Sequence, residues 1–267
     1  MDDFIFDGRI LSGYGYMICS FDSVGIEKLP VSNSTFNTIK SPLSKSSKKV
    51  SINDEENLQK VIQICKKKCN NEYMEISTDE ISELTRWLCR SEYKWIQFLS
   101  NKSNDGIDEV FYEAQIIASK IMIGESCYGL ELQINTNRSH GLTQELVLKF
   151  NISEENRSIK INTYSDEETY IYPDVVITLN EPGNLEIINE YENRITKINN
   201  CIEGETISMF GDILQLISSE QSHEIYNDFN YNYLRLCNMF QQSINIITFN
   251  LNCTVTIKYR GIRKVGI

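Results

Sequence analysis

From Ile247 to Tyr259 the chain alternates without a break. Ile247, Phe249, Leu251, Cys253, Val255, Ile257 and Tyr259 are apolar, and Thr248, Asn250, Asn252, Thr254, Thr256 and Lys258 between them are polar. Successive side chains of an extended chain point to opposite sides, so a period of two gathers every apolar group on one sheet face. At about 3.3 Å per residue the segment would reach roughly 40 Å, more than twice a usual strand. It therefore has to bend, or to change pairing partners along its length. A chain built around such a segment is a sheet protein.

Composition supports that reading. Ile, Val, Thr, Tyr and Phe recur throughout and alanine is scarce, which favours strands over a helical bundle. The 267 residues suit one or two domains. A net charge of −11 repels phosphate backbones, arguing against sequence-specific nucleic-acid binding. The same charge suits a conduit through which DNA passes without sticking. Met1-Asp-Asp-Phe4 has neither a basic region nor an apolar core, and no run of about 18 apolar residues occurs, so neither a secretory signal nor a membrane span is expected. In the cytoplasm that this implies, the eight scattered cysteines read as small buried hydrophobes.

Along the chain, Phe4 to Ser12 reads as a hairpin turned at Asp7-Gly8. Residues 31–57 are polar and rich in Ser and Lys, an extended arm or hairpin with a mobile tip. Ser77 and Glu80 have capping-box spacing, Ile76 and Ile81 have staple spacing, and Ile81, Leu84 and Leu88 share a face, which predicts a helix from about Thr78 to Arg90. Lys94–Leu99 reads as a strand, and Val110–Ile123 with Tyr128–Thr136 as a hairpin. Asn137-Arg-Ser-His-Gly141 is the expected domain boundary. Beyond it, strands recur at roughly ten-residue spacing, as in a β-sandwich. The predicted domains are 1–140 and 141–267.

Chemistry-bearing signals are sparse. His140 and His223 read as exposed loop histidines. Cys65 and Cys69 form a lone pair, whereas a structural zinc site needs four ligands. There is no nucleophile elbow, dinucleotide fingerprint or phosphate loop. The acids at 54–56, at 166–168 and at Glu190 read as solvated turn residues. Lys45 to Lys49 is a basic run without interleaved aromatics. No catalytic residue, metal ligand or cofactor is expected. Phe229, Tyr231 and Tyr233 have the spacing of one strand face. They read either as core or as an aromatic platform for a sugar or a partner subunit.

These features, in this order, resemble the distal tail proteins of long-tailed bacteriophages, prophages and tail-like particles. The resemblance lies in the opening hairpin Phe4–Leu11, Glu83-Leu-Thr-Arg-Trp-Leu88, Val110-Phe-Tyr-Glu-Ala114, Ile171-Tyr-Pro173, Gly183-Asn-Leu-Glu-Ile187, Asn200-Cys-Ile-Glu-Gly-Glu205, Asp228 to Arg235, and Ile257 to Gly266. It implies a mainly β protein of two domains. The first would be a β-sandwich-like ring domain with one α-helix, the second a galectin-like β-sandwich. The implied function is structural and non-enzymatic: a ring, typically six-fold, that connects tail tube to tail tip in the virion and lets DNA pass. Implied partners are copies of itself, the tube protein, the tip or hub protein, and also tape-measure and receptor-binding proteins. The protein would be made in the host bacterial cytoplasm. Within this reading Phe36, Ile39 and Leu43 of the arm are the expected subunit contacts. The alternative is a galectin-like carbohydrate-binding adhesion module using Tyr231 and its neighbours. A third reading, a cell-wall hydrolase, would need clustered acids.

Overall fold

The computed structural model describes residues 3–21, 35–39, 48–53, 57–67, 74–99, 109–239 and 243–266, with backbone alone for 35–39 and 48–53. It divides into two compact units, Met1–Thr143 with Arg263–Ile267, and Gln144–Ile262. The second domain was expected to run to the chain end. Instead residues from Arg263 onward rejoin the first unit, where the Tyr112 hydroxyl donates to the Gly266 carbonyl. Among the described residues no helix is long and apolar enough to cross a membrane.

The first unit contains β1 (Asp3–Phe6), β2 (Arg9–Ile10), β3 (Tyr16–Cys19), β4 (Thr35–Ile39), β5 (Lys48–Asn53), β6 (Gln59–Lys66), the helix α1 (Thr78–Leu88), β7 (Lys94–Leu99), β8 (Phe111–Ile123), β9 (Ser126–Thr136) and β10 (Gly141–Leu142). The main sheet has the order β2-β1-β7-β8-β9-β6-β3. Seven strands at about 4.8 Å would separate its two ends by about 29 Å if flat. Yet β2 and β3 are joined only by the 3-10 turn Leu11–Tyr14 and Gly15, which cannot reach beyond about 20 Å. The sheet must therefore roll on itself, and its inner face holds Phe4, Phe6, Leu11, Ile64, Ile96, Leu130, Leu132 and Ile134, all essentially inaccessible to solvent. The opening turn puts Asp7 and Gly8 at φ 50° and 74°, the left-handed pair that a two-residue hairpin requires. β4 and β5 pair as a two-stranded sheet apart from the main one.

Helix α1 begins as its sequence dictates. The Ser77 hydroxyl accepts from the Glu80 N–H and the Glu80 carboxylate accepts from the Ser77 N–H. It ends at Leu88 rather than Arg90, because Cys89 closes the last turn onto Thr85 and then leaves helical backbone at ψ 83°. Trp87 anchors it: the indole N–H donates to the Phe6 carbonyl at 3.0 Å while the ring stacks on Tyr14 at 4.7 Å.

The second unit contains β11 (Leu146–Ile152), β12 (Ser158–Asn162), β13 (Thr169–Ile171), β14 (Asp174–Leu179), β15 (Gly183–Asn189), β16 (Arg194–Cys201), β17 (Thr206–Phe210), β18 (Gln215–Ser218), the short α2 (Ile225–Asp228), β19 (Leu236–Asn238), β20 (Ile244–Phe249) and β21 (Cys253–Tyr259). β22 (Ile262–Arg263) marks the passage back to the first unit. Sheets of order β11-β21-β14-β17-β18 and β12-β20-β15-β16 form a sandwich. One core takes Val175, Ile177, Val255 and Ile257 from the first sheet and Ile161, Leu185, Ile187 and Phe249 from the other. The alternating segment at 247–259 is two strands. β20 lies in one sheet and β21 in the other, and the chain crosses the sandwich at Asn250–Asn252, whose side chains bond to Glu186 N–H, Asn184 C=O and the Glu181 carboxylate.

Candidate functional site

The densest group of ionisable side chains in the second unit was not visible as a group in the sequence. Glu205 follows a tight turn at Glu203-Gly204 and is fully buried at the mouth of β17. Its carboxylate accepts from the Ser218 hydroxyl at 2.6 Å and the Ile202 N–H at 2.9 Å, and meets His223 Nδ1 at 2.6 Å. Burial pushes this carboxyl up, but the bonds from Ser218, His223 and Ile202 outweigh it and hold it below the usual carboxylate range. On the other side of the ring, His223 Nε2 lies 3.3 Å from Asp228 Oδ2, close enough for an ion pair but not aligned as a hydrogen bond. Asn200 donates to the same carboxylate at 2.8 Å. His223 is thus a buried histidine and not the exposed loop residue expected. Glu205 lies 18 residues away in sequence, and only folding brings the two together.

This geometry ties the start of β17, β18 and α2 together. Nδ1 is engaged by Glu205 and Nε2 faces Asp228 without a hydrogen bond, while the Ser218 hydroxyl is directed at Glu205. Among the described residues no three His, Cys, Asp or Glu side chains are placed to hold a metal ion. His140 is half-buried in the bend before β10. Of the loop acids, Glu190 accepts from the Thr248 hydroxyl. Residues 54–56, Lys45 and Cys69 lie outside the described residues.

The aromatic trio does not form a platform. Phe229 and Tyr233 are buried in the core, and Tyr231 alone projects, 64% exposed. The expected strand is absent because Tyr231 takes φ +58°, which breaks the alternation. What this segment does instead is close edges. β16 ends one sheet, and Asn230 accepts from the Lys197 N–H and donates its backbone N–H to the Lys197 carbonyl. Asn230 and Asn232 both donate from their side chains to the Ile195 carbonyl. β18 ends the other sheet, where the Tyr226 hydroxyl accepts from the Leu216 N–H and the Tyr233 hydroxyl donates to the Leu214 carbonyl. One segment, 223–233, caps an edge of each sheet and is held down by the Glu205–His223–Asp228 cluster.

Among the described residues the first unit has an edge without such a cover. β7 pairs with β8 only from Phe111 to Ala114, so residues 115–123 of β8 have no strand partner on that side among the described residues. This stretch exposes Ile117 (57%), Met122 (49%) and Ile123 (58%). The outer sheet face beside it mixes polar side chains with exposed Ile117 and Val61. Register places Gln115, Asn135 and Gln59 in one row, Ile117, Gln133 and Val61 in the next, and Ser119, Glu131 and Gln63 in a third. Of the expected arm contacts, Phe36 and Ile39 lie on β4, opposite Ile52 and Lys48. Leu43 lies outside the described residues. The β8 edge was missed because pairing is a property of the fold, though the length of its apolar run was a signal.

Comparison with known proteins follows the same division. A model of the phage tail protein N-terminal domain matches residues 1–138, and one of the phage tail C-terminal domain matches residues 140–259. Among solved structures, the Dit (gp 19.1) protein of phage SPP1 is similar, with a TM-score of 0.65 and 10% sequence identity, over 97% of this chain and 99% of that chain. That protein is described as a paradigm of the hub adsorption apparatus in phages infecting Gram-positive bacteria. At this identity the likeness establishes a shared fold. No curated protein matches.

Proposed function

The chain belongs to a family of phage tail proteins, and from that premise we propose that it is the distal tail component that joins tail tube to tail tip. In this reading the first unit closes with copies of itself into a six-fold ring through which DNA passes. The second unit is a galectin-like sandwich available to tip, hub or receptor-binding proteins. The protein has a structural role in the virion tail and performs no catalysis.

The observation that supports the ring is the edge of β8, which has no strand partner over residues 115–123 among the described residues. A strand edge presents a row of unpaired N–H and C=O groups, a template for pairing with another chain. Here that row is flanked by exposed Ile117, Met122 and Ile123, with Lys120 the only charged side chain on the stretch. A head-to-tail contact that closes on itself satisfies every such edge. The face whose three rows hold glutamines, Asn135 and Glu131 beside Ile117 and Val61, with no cationic side chain in those rows, then becomes the lining, in a chain of net charge −11. The test is Ile117→Lys with Ile123→Lys, which sets like charges against the approaching neighbour. Native mass spectrometry is expected to show a closed oligomer for the parent and a folded monomer for the variant. An oligomer unaffected by both lysines would contradict assembly through this edge.

A further inference from the structure

Two cysteines stand side by side on adjacent strands, whereas Cys89, also partly exposed, is the C-cap of α1. Cys127, Cys201, Cys237 and Cys253 are buried. Cys19 on β3 and Cys65 on β6 are partly exposed and lie on the outer face of the first unit's sheet. Cys19 pairs with Gln63 and Cys65 with Met17, so the two are diagonal neighbours on adjacent antiparallel strands, with side chains on one face. Their thiols interact directly. Burial, and then the adjoining Cys65 thiol, push Cys19 up to about 12. The surroundings shield the pair without sealing it. Gly129 sits opposite Cys65, and its missing side chain leaves room for the Phe21 ring, whose atoms lie 2.5 Å from where a Cβ would stand. Phe21 is itself held by its N–H donating to Gln63 at 2.8 Å. Two thiols are too few for a structural metal centre, and no larger cluster of ligands occurs among the described residues.

We propose that Cys19 and Cys65 form a disulfide that staples the terminal strand β3 to β6 once the protein leaves a reducing compartment. The chemistry is thiol–disulfide exchange with a small-molecule disulfide such as glutathione disulfide. The Cys65 thiolate attacks one sulfur of the oxidant, whose S–S bond breaks and releases one glutathione thiolate. With Cys65 capped, its own ionisation no longer opposes that of Cys19. Cys19 then loses its proton and attacks Cys65 Sγ, and the second glutathione thiolate leaves. Two protein thiols are oxidised, one oxidant disulfide is reduced, and the two protons pass to the two glutathione thiolates. The bond closes the chain from residue 19 to residue 65 and fixes a strand that, among the described residues, pairs with β6 alone. The timing of this step rests on the tail reading, since a virion component is made in a reducing cytoplasm and works outside it. The chemistry does not.

The test uses the full chain, incubated folded with excess glutathione disulfide, alkylated, digested under acidic non-reducing conditions and mapped by mass spectrometry. The expected result is a Cys19–Cys65 linked peptide, with a melting temperature that rises on oxidation and falls back with dithiothreitol. Cys19→Ser is expected to leave Cys65 as a stable glutathione adduct, and circular dichroism reports whether that variant folds. The proposal is overturned if both thiols are alkylated in the folded parent. It is equally overturned if Cys65 links to Cys69, or if the parent accumulates the Cys65 adduct as the variant does.

Discussion

The two units differ at their sheet edges: the second covers two of its four, β16 and β18, while β11 and β12 stay end strands. In the second unit the segment 223–233 covers β16 with Asn230 and Asn232 and β18 with Tyr226 and Tyr233. In the first, β8 runs past the end of its partner β7 with no strand on that side among the described residues. An open edge is a liability in a monomer and a joint in an assembly. On the proposed reading the β8 edge is the joint between copies, whereas the second unit covers β16 and β18 from within its own chain.

The comparison can be broken most severely at Glu205. Glu205→Ala leaves His223 buried beside a single carboxylate and strands the Ile202 N–H and Ser218 hydroxyl, which should cost about 3–5 kcal/mol. Urea unfolding of the full chain should show the second unit losing stability while native mass spectrometry still shows the parent's oligomer. The same carboxylate predicts a pH dependence. Its folded value is depressed, so its contribution is fully present above the ordinary Glu value of about 4.3 and is lost as pH falls through the folded value. Acid titration followed by near-UV circular dichroism should show a transition below pH ~4 that is weaker in Glu205→Gln.

Next in size is Trp87→Phe. It keeps a ring against Tyr14 but leaves the Phe6 carbonyl without its indole donor, for a loss of about 1–3 kcal/mol in thermal melts of the first unit. Asn230→Ala removes bonds to Lys197 and Ile195 at roughly 0.5–1.5 kcal/mol each and uncovers β16. It should therefore give the second unit a concentration-dependent self-association, read by analytical ultracentrifugation, and turn it toward the behaviour of the first. Ser77→Ala should cost about 1 kcal/mol through the lost cap of α1, the smallest effect of the set.

What the sequence disclosed was local. The box at Ser77–Glu80 placed the start of α1, and Asp7-Gly8 placed the first hairpin, because each motif satisfies its own backbone within a few residues. The alternation at 247–259 gave the correct faces but concealed a break. Asn250 and Asn252 occupy polar positions of the pattern while bonding as corner residues, and both roles use the same side chain. The Phe229–Tyr233 spacing suggested a strand, and a left-handed Tyr231 overrode it. Partners far apart in the chain were not legible. Glu205 with His223, Asn230 with β16 and the unpaired reach of β8 are all set by which strands become neighbours, which no short window contains.

On the proposed assembly the β8 edge is a joint between copies. Amide hydrogen exchange over residues 115–123 tests it most directly, compared between dilute protein and assembled tails. The account predicts exchange at exposed rates in the dilute chain and strong protection of this stretch in the tail. Equally fast exchange in both would contradict it.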